Sequence, residues 1–427
     1  MMQIVRNPPR SSWPVLLSRP ALDTSSLQAQ VAEVLGEVRL HGDAAIRKYS
    51  LAFDGVAPEQ LRVSAAEMDA AAGQLPDALK TAIRTAAANI RRFHLAQQEE
   101  KVVVETMPGV RCWRQAVGIE KVGLYIPGGT APLFSTLLML GIPAAIAGCR
   151  DIVLCSPPGK DGRLHPAILF AAAEVGISQV YKVGGVQAIA AMAYGTESIP
   201  KVYKIFGPGN QYVTCAKQLV QMNGVAIDMP AGPSEVAVLA DGSANPEFIA
   251  ADLLSQAEHG ADSQVLLVLT SDDLVIPVQE ALQRQLALLP RAGVAEKALL
   301  ASHLVVMDNT QEAMELLNAY APEHLILATE DAVALSRSVS NAGSVFIGHY
   351  SPESVGDYAS GTNHTLPTNG FARAYSGVSL DSFVKKITFQ QLSEEGLRAI
   401  APTVTAMAAA EGLDAHAAAV SIRLNKQ

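Results

Sequence analysis

The chain has 427 residues, 49% of them hydrophobic and 17% charged, with a formal net charge of −9 and a pI near 5.5. That length suits two or three domains with a substantial core, and the composition excludes a disordered chain. The acidic balance, with no basic run against it, argues against nucleic acid or an anionic membrane as a partner.

Residues 1–22, beginning "MMQIVRNPPRSSWPVLLSRP", contain no continuous apolar stretch of signal-peptide type and read as a Pro- and Ser-rich arm. From Asp23 to about Glu100 the pattern is helical, with caps expected at Thr24 and Ser64 and breaks at Gly42 and Pro76. "KVVVETMPGVRCW" (101–113) reads as strand and turn. Residues 122–149 carry no charge, yet prolines and glycines from Pro127 to Gly148 cut them into short pieces. A membrane span needs about 20 unbroken apolar residues, so this stretch reads as a strand, a glycine loop and two buried helices.

Beyond it, short β-rich runs alternate with helical stretches: "DIVLCS", "QVYKVGG", "KVYKIFG", "GVAID", "EVAVLAD", "SQVLLVLT", "HLVVMD", "HLILAT" and "GSVFIG". The alternation indicates crossover units and mainly parallel sheets, two of them. The expected fold is therefore α/β, with two incomplete Rossmann-like lobes, an N-terminal arm and a helical C-terminal tail. Residues 23–125 and 236–375 are assigned to a first lobe and 126–235 to a second, with "MPAGPSE" (229–235) as the crossing. Residues 376–427 return to Ala-rich helix.

The four cysteines, Cys112, Cys149, Cys155 and Cys215, form no Cys-x-x-Cys pair, which favours a reducing cytoplasm over a disulfide framework. Cys149 or Cys155 as a nucleophile for aldehyde oxidation is one reading; buried, inert thiols in apolar surroundings is the preferred one.

Three glycine clusters follow expected strands and lead into helices: "YIPGGTAPL" (125–133), "VGGVQAIA" (183–190) and "FGPGNQYV" (206–213). Each can aim backbone N–H groups at an anion, although any single tight turn needs glycine anyway. Together they favour a small-molecule crevice without choosing NAD over another ligand, since none is a full dinucleotide fingerprint.

"DLLSQAEHG" (252–260) sits in a helix that Asn245 and Pro246 open and Gly260 stops. Its inward arc holds Phe248, Ile249, Asp252, Leu253, Gln256 and His259, so two polar residues at i and i+3 stand where apolar ones belong. They converge either as ligands to one atom or as satisfied polar groups closing a helix end. "YAPEHLILAT" (320–329) places Glu323 and His324 at a strand entrance, a pairing suited to proton transfer and equally common in solvated strand ends. "SPESVGDYASGTNHTLPTNG" (351–370) reads as an ordered polar loop in which Asp357 is a metal ligand or a turn residue. "AAAEGLDAHAAAV" (408–420) sets Glu411 and His416 in a bare helix, where surface positions are the simpler account.

Taken together, "GLYIPGGTAPLFST", "VGGVQAIAAMAYGTESIPKVYKIFGPGN", "AIDMPAGPSEV", "DLLSQAEHG", "PEHLI", "SPESVGDYASGTNH" and "AAAEGLDAH" resemble the histidinol dehydrogenase family, in the family's order from about residue 23 to 420. The resemblance implies two successive NAD-linked oxidations of L-histidinol, through L-histidinal, to L-histidine. It implies zinc held by Gln256, His259, Asp357 and His416, and Glu323 and His324 as the acid–base pair. Ser234, His364 and Glu411 would join His324 and the metal ligands in contacting substrate, and Tyr125, Gln187 and Asn210 would touch NAD. It also implies a homodimer in which one subunit's tail completes its partner's site. Rivals are a related zinc- and NAD-dependent dehydrogenase of another small polyol alcohol, and a two-lobed binding protein without turnover. A zinc hydrolase lacks support, since no His-Glu-x-x-His element exists.

Overall fold

In the computed structural model, residues 2–19, 25–128, 132–230 and 232–425 are described. The cap expected at Thr24 and positions 129–131 of the first glycine cluster lie outside the described residues. In chain order the strands are β1 (Gln3–Arg6), β2 (Val103–Met107), β3 (Val110–Gly118), β4 (Lys121–Tyr125), β5 (Asp151–Ser156), β6 (Gln179–Lys182) and β7 (Lys204–Phe206). They continue with β8 (Ala226–Ile227), β9 (Glu235–Ala240), β10 (Gln264–Leu269), β11 (His303–Val306), β12 (His324–Ala328), β13 (Ser344–Ile347) and β14 (Val384–Leu392).

One sheet has the order β6-β5-β4-β7-β8 and is parallel throughout. A second, also parallel, has the order β1-β11-β10-β9-β12-β13. Counted from β4 in the first and β9 in the second, each runs 3-2-1-4-5, the doubly wound order with its last strand missing. The expected pair of incomplete Rossmann-like lobes is what the chain forms. Continuous Val/Leu/Ile runs such as "EVAVLA" and "QVLLVL" suit strands covered on both faces, and every residue of β9, β10 and β12 is buried. No helix among the described residues is long and apolar enough to cross a membrane.

The packing corrects four expectations. Residues 25–125 do not belong with the six-stranded sheet: Val31, Leu35 and Ile46 pack with Val153 and Ile189, while Ile83 and Ile90 pack with Leu124 and Leu137. The helices Ser25–Asp54 and Asp77–Leu95 therefore cover the five-stranded sheet, and β4 is its central strand. An amphipathic pattern shows that a helix has a buried face but not which sheet it is buried against. Residues 1–22 are more than an arm, because β1 pairs with β11 in register Gln3↔His303 and Trp13 joins the core. The uncharged stretch holds one helix, Phe134–Ile146, that runs through Pro143 rather than two. Finally, the tail is not all helix: β14 runs antiparallel to β3 in a third sheet, β14-β3-β2, with Phe389 stacked on Trp113 at 5.4 Å.

Local signals hold elsewhere. Ser64 and Glu67 form a reciprocal capping box, and Gly42 takes φ 51° at a kink that interrupts the Ser25–Asp54 helix.

Candidate active site

The chemistry gathers at the amino-terminal edge of the six-stranded sheet, where β9 and β12 begin side by side with His324 opposite Val236. That pairing brings Glu323 and His324 to the peptide of Glu235. The Glu235 N–H donates to Glu323 Oε2 at 2.9 Å, and His324 Nδ1 donates to the Glu235 carbonyl at 3.1 Å. With Nδ1 carrying a proton, Nε2 is the free ring nitrogen. It is buried without a hydrogen-bond partner and lies 3.5 Å from Asp357 Oδ1.

The helix Pro246–Ala257 starts where expected, Asn245 accepting from the Glu247 N–H at 2.9 Å, and delivers Gln256 fully buried at its last turn. His259 lies just past the helix end, in a turn. Phe248 departs from the inward arc; it is half-exposed beside Tyr350 at 6.0 Å. The loop expected at 351–370 opens as a short helix, Glu353–Tyr358, whose i, i+4 spacing turns Glu353 and Asp357 to the same side. Ligand atoms of His259, Glu353 and Asp357 all fall within 4.8 Å of one another. Glu353 stands in the same polar loop as Asp357 and His364, and the sequence reading gives it no role. Its signal was there, three residues of helix start behind Pro352, but the surrounding Ser, Gly and Asn residues read as loop.

Gln256 links the two halves. Turned so that both ends are satisfied, its amide donates to Glu353 and accepts from the Glu235 N–H at 2.9 Å. The opposite orientation sets its amide oxygen against the Glu353 carboxylate, two acceptors that a cation between them would reconcile. His364 closes the group from the far side: Nδ1 donates to the Asp357 carbonyl at 2.8 Å, and Nε2 lies 3.0 Å from the Thr136 hydroxyl.

Burial pushes the carboxyls of Glu323 and Glu353 up to about 8 and that of Asp252, one turn before Gln256, up to about 7. Burial acts the same way on Asp357, but the charge of the His324 ring beside it wins and holds it below the ordinary value. For His324 burial works downward and is outweighed by the carboxylates of Glu323, Asp357 and Glu353, which raise it to about 10. His259 and His364 are lowered, chiefly by the protein bulk around them, and so offer neutral ring nitrogens near pH 7. Four carboxyl groups and three imidazoles thus share this space, and a cation bound among them would offset the burial that raises the carboxyls and displace their protons. A mixed imidazole, carboxylate and amide donor set suits zinc. The residues fit the metal.

Other sequence candidates lie apart. Glu411 ends the helix Glu394–Ala410 and His416 stands on Asp414–Leu424, both exposed, and no side-chain hydrogen bond or ion pair among the described residues joins them to this cluster. Ser234 is half-buried just ahead of β9, its carbonyl accepting from the Gln264 N–H at 3.1 Å.

A cleft of about 1470 Å³ opens at the carboxyl ends of β4, β5 and β7, at the point where the strand order reverses. Tyr125 and Asn210 line it. The Tyr125 hydroxyl accepts from the Gly185 N–H at 3.1 Å, and Asn210 caps the helix Gln211–Gln221. Gly207 is obligatory here: it takes φ 128°, and a Cβ would lie 2.0 Å from the Tyr125 carbonyl. Gln187 turns inward instead, fully buried, with its amide donating to Asp54 at 3.3 Å.

All four cysteines are free. Burial pushes the Cys149 thiol up to about 11 and Cys155 well above the ordinary thiol value, so neither is a thiolate near neutrality. Cys149→Ala and Cys155→Ala are accordingly expected to keep near-parent activity. A folded variant with no activity in a steady-state assay would restore the thiol mechanism.

Comparison with known proteins bears on the whole chain. The family model for histidinol dehydrogenase matches residues 17–424. A histidinol dehydrogenase of Bacteroides thetaiotaomicron is 61% identical over 425 residues, covering 100% of this chain and 99% of that one. One from Vibrio cholerae is 55% identical over 414 residues, covering 96% and 95%. The crystal structure of histidinol dehydrogenase from Elizabethkingia anophelis superposes with a TM-score of 0.97 at 54% identity, covering 99% of this chain and 98% of that one. A related dehydrogenase of another polyol alcohol is not favoured by these matches.

Proposed function

We infer the roles of individual residues from one premise: the chain belongs to the histidinol dehydrogenase family, NAD-linked oxidoreductases that use zinc and catalyse the final steps of histidine biosynthesis. On that premise Gln256, His259 and Asp357 hold zinc together with His416 of a second subunit, and Tyr125 and Asn210 contact NAD, with Gln187 behind them. Ser234, His364 and Glu411 contact histidinol. Zinc supplies a fixed positive charge that grips the substrate's nitrogens, and NAD accepts one hydride in each oxidation.

The rest is work for side chains. With a cation held by Asp357 offsetting the carboxylates that raise it, His324 is neutral, and its Nε2 takes the hydroxyl proton of histidinol as the carbinol hydrogen departs as hydride, giving histidinal. The bond from Nδ1 to the Glu235 carbonyl, 3.1 Å, steadies the imidazolium that forms. Glu323 then takes a proton from water as the oxygen adds to the aldehyde, while the His324 imidazolium gives its proton to the aldehyde oxygen, producing the gem-diol. His324, neutral again, accepts a diol proton during the second hydride departure, and the carboxylic acid that results ionises to the carboxylate of histidine. The observation that carries this assignment is the buried Nε2 of His324, without a hydrogen-bond partner while its other nitrogen is fixed.

A homodimer with shared sites accounts for two further facts. Glu411 and His416 are exposed within one chain, and the third sheet and tail leave Val104, Ile387, Phe389 and Met407 partly uncovered. Four free cysteines suit a cytoplasmic location. The test is stoichiometry: purified protein given histidinol and excess NAD should yield two NADH per histidinol, with zinc found by metal analysis. Release of histidinal after a single NADH would overturn the two-step reading.

A further inference from the structure

The backbone of Glu235 serves both proton-transfer residues: its N–H donates to Glu323 and its carbonyl, in the next peptide unit, accepts from His324, so the placement of that one residue sets the geometry of the pair. Its side chain explains what fixes it. Arg19 Nε and Nη2 donate to the two carboxylate oxygens at 2.5 and 2.8 Å, and the Asn369 N–H donates to Oε1 at 2.8 Å. The same Arg19 Nη2 donates to the Tyr320 carbonyl at 2.9 Å, and its guanidinium lies 4.1 Å from the centre of the Tyr320 ring. Tyr320 ends the helix Thr310–Tyr320, and the chain passes from it through Ala321, at φ 54°, directly into Glu323. A non-glycine residue at that φ persists only where its surroundings hold it. Arg19 therefore fastens the first residue of β9 to the strained turn that launches β12, and both side chains of the ion pair are almost wholly buried.

We propose that Arg19 and Glu235 are a positioning pair for the reaction, holding the Glu235 backbone on both sides of its Cα where it orients Glu323 and His324, without either side chain touching substrate. This rests on the assignment of proton transfer to Glu323 and His324. A forked guanidinium is needed to grip two carboxylate oxygens and a carbonyl together, which an ammonium cannot reproduce.

The test uses the zinc-loaded enzyme with NAD and histidinol, and the variants Arg19→Lys, Arg19→Ala and Glu235→Gln. Because displacements of about 1 Å can cost about 100-fold, kcat is expected to fall at least about tenfold while KM for histidinol stays within about twofold and zinc content is unchanged. Added guanidinium should restore part of the kcat of Arg19→Ala. Unchanged kcat with only a lower Tm would make the pair a structural one and overturn the proposal, as would a raised KM at parent kcat. If Arg19→Ala does not fold, the same readings on Arg19→Lys, which keeps charge and length, decide. Parent-level turnover by His324→Asn would defeat the underlying assignment; an inactive His324→Asn beside fully active Arg19 and Glu235 variants defeats the pair alone.

Discussion

His324→Asn should lose about 10²- to 10⁴-fold in the oxidation of histidinol, the range that a positioned general base contributes. The asparagine amide can still donate to the Glu235 carbonyl, so the hydrogen bond that orients the side chain survives while the proton acceptor at Nε2 disappears. Stability should change little, and single-turnover NADH formation reads the chemical step directly. Glu323→Gln separates the two halves. Its amide oxygen can still accept from the Glu235 N–H, but it cannot take a proton from water. That variant should form a first NADH and then stall at histidinal, so that NADH per histidinol drifts from two toward one. If both variants damage alcohol and aldehyde oxidation equally, the division of labour between the two residues is wrong.

What the sequence discloses follows from which forces are local. The nine β-rich runs between 151 and 348 all appear as strands, since a strand buried on both faces has to be apolar at every position, whatever its neighbours. β14 was hidden for the opposite reason. Its only period-2 signal is Ile387 and Phe389 about Thr388, flanked by Lys385, Lys386, Gln390 and Gln391, and most of the strand is exposed. The side of the fold on which residues 25–95 pack was not legible either, because that choice is made by tertiary contacts between Val31, Ile46 and the five-stranded sheet's helices. At the site, Gln256 and His259 were legible as misplaced polar residues on an apolar arc. Glu353 and Arg19 were not, since each acts through partners far away in the chain: Glu353 through the Gln256 amide, Arg19 through a carboxylate 216 residues distant.

The amino-edge position of the cluster also has a consequence for how the lobes divide the work. The doubly wound rule places ligands outside the carboxyl ends of strands, and the cleft beside β4 and β7 obeys it. The proposed metal and proton-transfer cluster instead uses the start of β9 and β12 and the far end of the helix Pro246–Ala257. His364 connects the two, since its Nε2 reaches Thr136 on the helix that follows the first glycine cluster. A nucleotide on one lobe and a metal on the other can thereby serve one substrate held between them.

Mixing two inactive variants should restore activity if the proposed sharing of sites is correct. His259→Ala removes a ligand on the body of the subunit, and His416→Ala removes one on its tail; each homodimer then lacks a ligand in both of its sites. In a mixed dimer, one site combines an intact body with an intact tail while the other loses both ligands. Random reassembly makes half the dimers mixed, so recovery should approach about one quarter of parent activity, a ceiling fixed by two-fold symmetry. Zinc content should rise in the same proportion. Activity of the co-refolded mixture that remains at the level of the separate variants would mean that each tail serves its own subunit, or none. The exposure of Glu411, at the end of one tail helix, and of His416, on the next, favours the exchanged arrangement, because both are long polar side chains set among alanines.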